Sequence, residues 1–406
     1  MRPLFHFLAG PNRFRHAVLC LNLLSDVDHP YSKSKTGTAV GRIPSDSQMR
    51  DILDPIDPDA LSDSFQQIFS KVQQEKGLDQ LAFLGGHYLL SGDGTGFFYS
   101  NKLSNDRCLE KYSKKTGETT YYQQFYGAAI VHPDFREVIP LPPEFIVKQD
   151  GATKNDCERE ASKRFLAKFR KAHPQLPVIM IEDGLSSNGP HIRELQKHNI
   201  RFILGVKEND HTYLFEKVDE GEFAGRSTKL VIKDPKKPGV RHCFHFINGV
   251  PLNKTNKDLL VNFLEYEEVT AKGKKKYFSW VTDFELSPDN VMDIMRGGRA
   301  RWKIENETFN TLKNQGYHLE HSFGLGDKNL SQVFVTLMML AFLVDQTQQL
   351  CCGLFRAAWQ RSGTKRDLWE TRRTLFKLIH LDSFTELHRI IAEGGLHHLP
   401  GPLDSS

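Results

Sequence analysis

Residues 87–100 read HYLLSGDGTGFFYS and residues 177–184 read PVIMIEDG: two apolar runs, each delivering an aspartate followed by glycine, Asp93 and Asp183. A short continuous apolar run is the pattern of a strand buried on both faces. Between them, YYQQFYGAAIVHP (121–133) and REVIPLPPEFIV (136–147) predict a second and a third strand. NDCEREASKRFLAKFRKAH (155–173) predicts a helix, with Ala161, Phe165, Leu166 and Phe169 at helical spacing. PHIRELQKHN (190–199) predicts another helix, Pro190 suiting its first turn, and RFILGVK (201–207) a further strand. The order β-β-β-α-β-α-β is that of a mixed α/β sheet flanked by helices.

Taken singly, an Asp-Gly after a strand is a common turn. Two acids at strand ends in one α/β sheet mean more, because ligands gather at the carboxyl ends of such strands. A third acid stands in RWKIENETFNTLK (301–313). At about 100° per residue, Glu305 falls between Leu312 and Phe309 with Trp302 beyond, a carboxylate inside an apolar stripe. Such a group needs a cation, a metal or a raised pKa. Arg301, one turn earlier, would meet that need as an internal ion pair, whereas Glu307 falls on the opposite, solvent-facing arc. Three carboxylates also suit phosphodiester cleavage, in which two Mg²⁺ ions ~3.5–4 Å apart clamp the attacking and leaving oxygens.

No HExxH, GxxxxGK[ST] or GxSxG motif competes for the chain. RHCFH (241–245) lacks zinc-finger spacing and reads as alternating residues of a strand. The 406 residues carry 54 basic and 50 acidic side chains, a formal charge of +4 that by itself argues for no particular partner. Six cysteines without a CxxC pair point to a reducing compartment, and a cytoplasmic location is expected. The most apolar run, 333–344, falls short of the ~20 residues that span a bilayer. No membrane association is expected.

Five regions follow from these patterns. Residues 1–83 read as a helical, DNA-binding N-terminal region, basic first (Arg13, Arg15, Lys33, Lys35, Arg42, Arg50), then acidic from Asp51 to Asp63, with a helix cap at Ser45. Residues 84–207 form the first part of the core. Residues 208–276, Lys-rich and punctuated by Gly and Pro, read as a β-rich insertion. Residues 277–345 return to the core, and 346–406 form a helical, net-basic C-terminal region that includes Arg356, Arg361, Lys365, Arg366, Arg372 and Arg373.

The run GRARWKIENETFNTLKNQGYHLEH (298–321) resembles the C-terminal signature of DDE transposases from bacterial insertion sequences. SGDGTGFFYS, IEDGLSSNGPHI and ILGVKEND stand where that family carries its first acid, its second acid and the following strand. The resemblance spans residues 84–345. It implies a ribonuclease-H-like core and a catalytic, metal-binding triad of Asp93, Asp183 and Glu305. It further implies two Mg²⁺ ions, replaceable by Mn²⁺, cutting at element ends and joining of the freed 3′-hydroxyl to target DNA. The implied partners are double-stranded DNA, as terminal inverted repeats and target, and a second copy of the chain in the active complex. The implied location is the bacterial cytoplasm, at the nucleoid when DNA-bound.

In the related hairpin-forming branch the pattern is Y-x(2)-R-x(3)-E-x(6)-K. Here Arg301 and Glu305 match, Gly298 and Leu312 replace the Tyr and Lys, and Lys313 comes one residue late. Candidate DNA contacts are Arg301, Lys303, Lys313 and His321 around the third acid and Lys207 after the second, with Trp280 as a platform for a displaced base. Two other readings remain at this level: a Mg²⁺-dependent DNA nuclease without strand transfer, and a domesticated DNA-binding protein.

Overall fold

The computed structural model describes residues 46–148, 157–378 and 383–394. Ser45, Cys20 and the basic residues Arg13, Arg15, Lys33, Lys35 and Arg42 lie outside them. The described chain opens with two helices, α1 (Asp46–Leu53) and α2 (Ser62–Gln74). A two-residue strand β1 (Ala82–Phe83) precedes β2 (His87–Ser100), β3 (Leu109–Tyr112) and β4 (Thr119–Val131).

The glycines flanking Asp93 do not make the predicted turn. Strand β2 continues past Asp93 for seven more residues to Ser100, paired antiparallel with β4 and bulged between Gly96 and Phe98. They are small because neighbours occupy their side-chain space: a β-carbon on Gly92 would meet the Tyr126 hydroxyl, and one on Gly94 the Glu158 carboxylate. The predicted third strand is only two short pieces, β5 (Ile139–Pro140) and β6 (Glu144–Ile146), as its prolines would lead one to expect.

Helix α3 (Glu158–Ala172) buries Ala161, Phe165, Leu166 and Phe169, the face read from the sequence. Strand β7 (Val178–Glu182) is buried throughout, and α4 (Gly189–Lys197) has Asn188 as its cap and Pro190 in its first turn. Strand β8 (Arg201–Gly205) follows. The segment after it begins with a helix, α5 (Thr212–Phe223), before β9 (Thr228–Lys233), β10 (Arg241–Pro251), β11 (Leu260–Val269) and β12 (Lys275–Thr282). These strands do not form a separate module. β12 pairs antiparallel with β8, so one mixed sheet runs in the order β3-β4-β2-β7-β8-β12-β11-β10-β9.

Helix α6 (Val291–Arg299) leads into a π-helical segment, Ile304–Phe309, and a short α7 (Asn310–Asn314). Glycines again set the approach. Gly298 lies against the Trp280 indole, and Gly127 against the Phe309 ring, so α6 and the π-turn sit close on one face of the sheet. Helix α3 covers the other face, where Phe165 packs on Tyr126.

Helix α8 (Leu330–Cys351) is long and apolar enough to cross a membrane by length and composition, yet 83% of its most apolar window is covered by the rest of the chain. Three helices follow, α9 (Gly353–Ser362), α10 (Lys365–Leu378) and α11 (Phe384–Glu393). Arg372 of α10 is buried, beside Asp345 of α8 at 3.5 Å, and Tyr317 donates to the same carboxylate at 2.6 Å. That arginine is therefore structural, and Arg356 likewise spends its guanidinium on the Gln349 and Leu350 carbonyls.

Candidate active site

Strands β2 and β7 run parallel, with Tyr88 opposite Val178 and Ser91 opposite Ile181. Continued by two residues, that register sets Asp93 level with Asp183, the first residue past the end of β7. Asp93 lies within its strand and Asp183 just beyond its own, so the two acids reach one level from neighbouring strands.

Asp93 faces the side of the sheet on which the π-turn lies, directly across from Gly127. Its Oδ1 accepts from the Gly94 amide at 2.8 Å, and the same amide serves Glu158. Burial and then the neighbouring Glu158 push the Asp93 carboxyl up to about 7, against the pull of that amide and of Arg301. Asp183 is exposed, and its Oδ1 accepts from the Leu185 amide at 2.9 Å in a tight turn. The turn is anchored on both sides. Ser187 donates to the Gly205 carbonyl, and the His211 ring meets the Ser187 carbonyl at 3.0 Å.

Arg301 joins the first acid to the third. Its guanidinium lies 3.4 Å from Asp93 Oδ2 and 2.8 Å from Glu305 Oε1, and its carbonyl accepts from Ser91 Oγ at 3.1 Å. Glu305 is 43% exposed and is not held inside an apolar stripe. The 100° wheel fails here because residues 304–309 wind as a π-helix, with i→i+5 bonding, a feature that recurs at functional sites. Ile304, Thr308, Phe309 and Leu312 take the buried side, while Trp302 is 53% exposed beside Arg301. Glu307 is half-buried and lies within electrostatic reach of Lys303 and Lys365, contrary to a purely solvent-facing position.

Sequence reasoning missed two features. Glu158, in the first turn of α3, is a fourth carboxylate; burial, Asp183 and Glu182 raise its pKa. An acid in a first helical turn is ordinary, so nothing in the sequence marked it. Behind Asp183, the buried Glu182 accepts from Tyr126 at 2.6 Å and lies 2.5 Å from His191 Nε2. Burial alone would raise the Glu182 pKa, but His191 and Tyr126 hold it low, while Glu182 raises that of His191.

The proposed DNA contacts fare unevenly. Trp280 is 5% exposed and stacked on Phe278, so it is a core residue and no platform for a base. Lys303 donates to the Phe135 carbonyl, and Lys313 pairs with Glu320 at 2.9 Å. Both cations are spent internally. His321 is exposed, its ring edge-on to Phe323, and Lys207 is exposed.

No protein-family model matches the chain, and no curated protein matches it. Among solved structures, a cryo-EM structure of a piggyBac transposase synaptic complex with hairpin DNA matches with a TM-score of 0.37 at 10% identity. That match covers 97% of this chain and 78% of the other. A likeness of that size fixes neither fold nor activity.

Proposed function

We propose that this chain is a metal-dependent DNA transposase that cuts element ends and joins the 3′-hydroxyl to target DNA, acting through Asp93, Asp183 and Glu305. The observation that carries the reading is the level register of Asp93 and Asp183 on adjacent parallel strands, with Glu305 tied to Asp93 through Arg301. The single mixed sheet, flanked by helices on both faces, supports a ribonuclease-H-like core.

Among the described residues no three His, Cys, Asp or Glu side chains are gathered around one point. The donor chemistry nevertheless fits Mg²⁺. The donors are carboxylate oxygens from separate elements, the oxygen-only ligation that Mg²⁺ prefers. Asp93, Asp183 and Glu305 would hold the ions, with Mn²⁺ able to substitute; when bound, they supply a nucleophile and charge stabilisation for in-line displacement.

The chain's own groups do the rest. The Gly94 amide fixes one Asp93 oxygen, and the Asp183 turn holds its carboxylate at the strand end. Arg301 supplies a cation beside the phosphate path. Double-stranded DNA is the substrate, and two copies of the chain would hold two element ends together.

The test is nicking of supercoiled plasmid in Mg²⁺ by the wild-type protein and by Asp93→Asn, Asp183→Asn and Glu305→Gln. Loss in all three, with 3′-end joining by the wild type, supports the reading. Nicking without joining would make the protein a nuclease, and metal-independent binding with no nicking would make it a DNA-binding protein.

A further inference from the structure

The β9–β10 and β11–β12 hairpins end level with each other, since Arg241 pairs with both Lys233 and Val269, and Val269 with Lys275. Their turns touch: a β-carbon on Gly239 would come within 2.9 Å of the Ala271 side chain. Gly239 and Gly273 take left-handed backbone angles, φ 84° and 76°, and so tighten both turns. The contact brings Lys236 and Lys237 of one turn beside Lys272 and Lys274 of the other, all four exposed. Neighbouring carboxylates are already engaged. Glu267 and Glu268 pair with Lys275 and Lys276, and Asp234 accepts from the Lys236 and Lys237 amides and faces His242. Lys236 also acts electrostatically on the Asp134 carboxylate, which leaves Lys237, Lys272 and Lys274 as the core of the patch.

The patch lies toward the acids. β12 is antiparallel to β8 and pairs Trp280 with Gly205, so its first residues extend past the carboxyl ends of β7 and β8, the end that bears Asp183. Packing like charges on two touching turns costs free energy that separate turns would avoid. A polyanion would offset it.

We propose that these paired turns are a docking surface for the phosphate backbone of duplex DNA, holding the duplex that reaches the acids. The inference rests on the proposed DNA-cutting function and adds to it a surface outside residues 298–321.

The test measures duplex binding by the full-length protein over a range of salt, without divalent metal, for the wild type and K237Q/K272Q/K274Q. The control is K171Q/K197Q, on the C-terminal turns of α3 and α4 at the opposite end of the sheet. Each phosphate neutralised contributes about 0.9 to the slope of log Kobs against log salt, so the triple variant is expected to lose roughly 2–3 of slope. Its affinity should fall at least tenfold at low salt, and the control should match the wild type. A triple variant with wild-type slope, from a wild type that binds duplex and nicks it, overturns the surface and leaves the function standing. A wild type that neither binds nor nicks duplex overturns both. Equal loss toward single-stranded RNA and duplex would make the patch a general anion site and overturn the duplex assignment.

Discussion

The Tyr126 hydroxyl stands 1.8 Å from where a β-carbon on Gly92 would sit, so the glycine before the first acid exists to admit that ring. The hydroxyl goes on to bond Glu182, the residue before the second acid, so a side chain of β4 crosses the first acid's strand to reach the second's. Gly92→Ala should displace it and destabilise the fold by about 1–3 kcal/mol, the usual cost of overpacking. Tyr126→Phe should cost about 1.5–3 kcal/mol by removing a hydrogen bond to a buried charge. Chemical denaturation of both variants checks this, and a neutral Gly92→Ala would refute the contact.

Glu305→Gln should abolish Mg²⁺-dependent nicking while holding or slightly raising duplex binding, with little net change in stability, since the lost pair with Arg301 offsets the relieved repulsion among the acids. Glu307→Gln should nick normally. Plasmid nicking, melting temperature and duplex binding measured on both variants decide it; a dead Glu307→Gln with an active Glu305→Gln would reassign the third acid.

Arg301 competes with any cation for oxygens of Asp93 and Glu305. Arg301→Ala should therefore tighten Mn²⁺ binding while weakening nicking, because phosphate loses a partner. The half-exposed Glu305 can recover water, so the stability cost should be about 1–2 kcal/mol, between surface and buried pairs. Titration calorimetry with Mn²⁺ beside thermal unfolding tests both parts. Unchanged metal affinity with severe unfolding would make Arg301 a purely structural ion pair.

His173 is packed between Phe69 and Phe169, and burial, then Arg170, pushes its pKa down to about 4. The unfolded chain takes that proton near pH 6.5 and the folded chain refuses it until about 4. This contribution is therefore intact above about pH 6.5 and is lost as pH falls toward 4, by up to about 1.4 kcal/mol per pH unit. His173→Phe keeps the ring packing and should flatten the stability profile across that window. Urea unfolding at a series of pH values measures it, and an unchanged slope would show that His173 titrates normally.

Where apolar patterning alone decides structure, the sequence was legible. Val178–Glu182 is a buried strand because every residue but its last is apolar, and Asp183 falls at its end as read. Asp93 stands out in the sequence because its glycines look like a turn, but Gly92 and Gly94 make room for Tyr126 and Glu158, side chains 34 and 64 residues further on. Trp280, on a strand that the sequence assigns to the core, reads there as a platform for a displaced base. Only the tertiary contact with Gly298 shows that it is core. The winding at residues 304–309 had no sequence mark, since composition does not separate a π-turn from an α-turn, and so the exposure of Trp302 and Glu305 was misread.

That wide turn changes how spacing in this region should be counted. A π-turn takes up one residue more than an α-turn before returning to the same direction. Between Glu305 and Lys313 the chain passes through such a turn, so an eight-residue separation here sweeps about the rotation that seven residues sweep in a regular helix. Leu312, at the seventh place, is fully buried, and Lys313 emerges beside it. The lysine that comes one residue late in sequence is on time in azimuth.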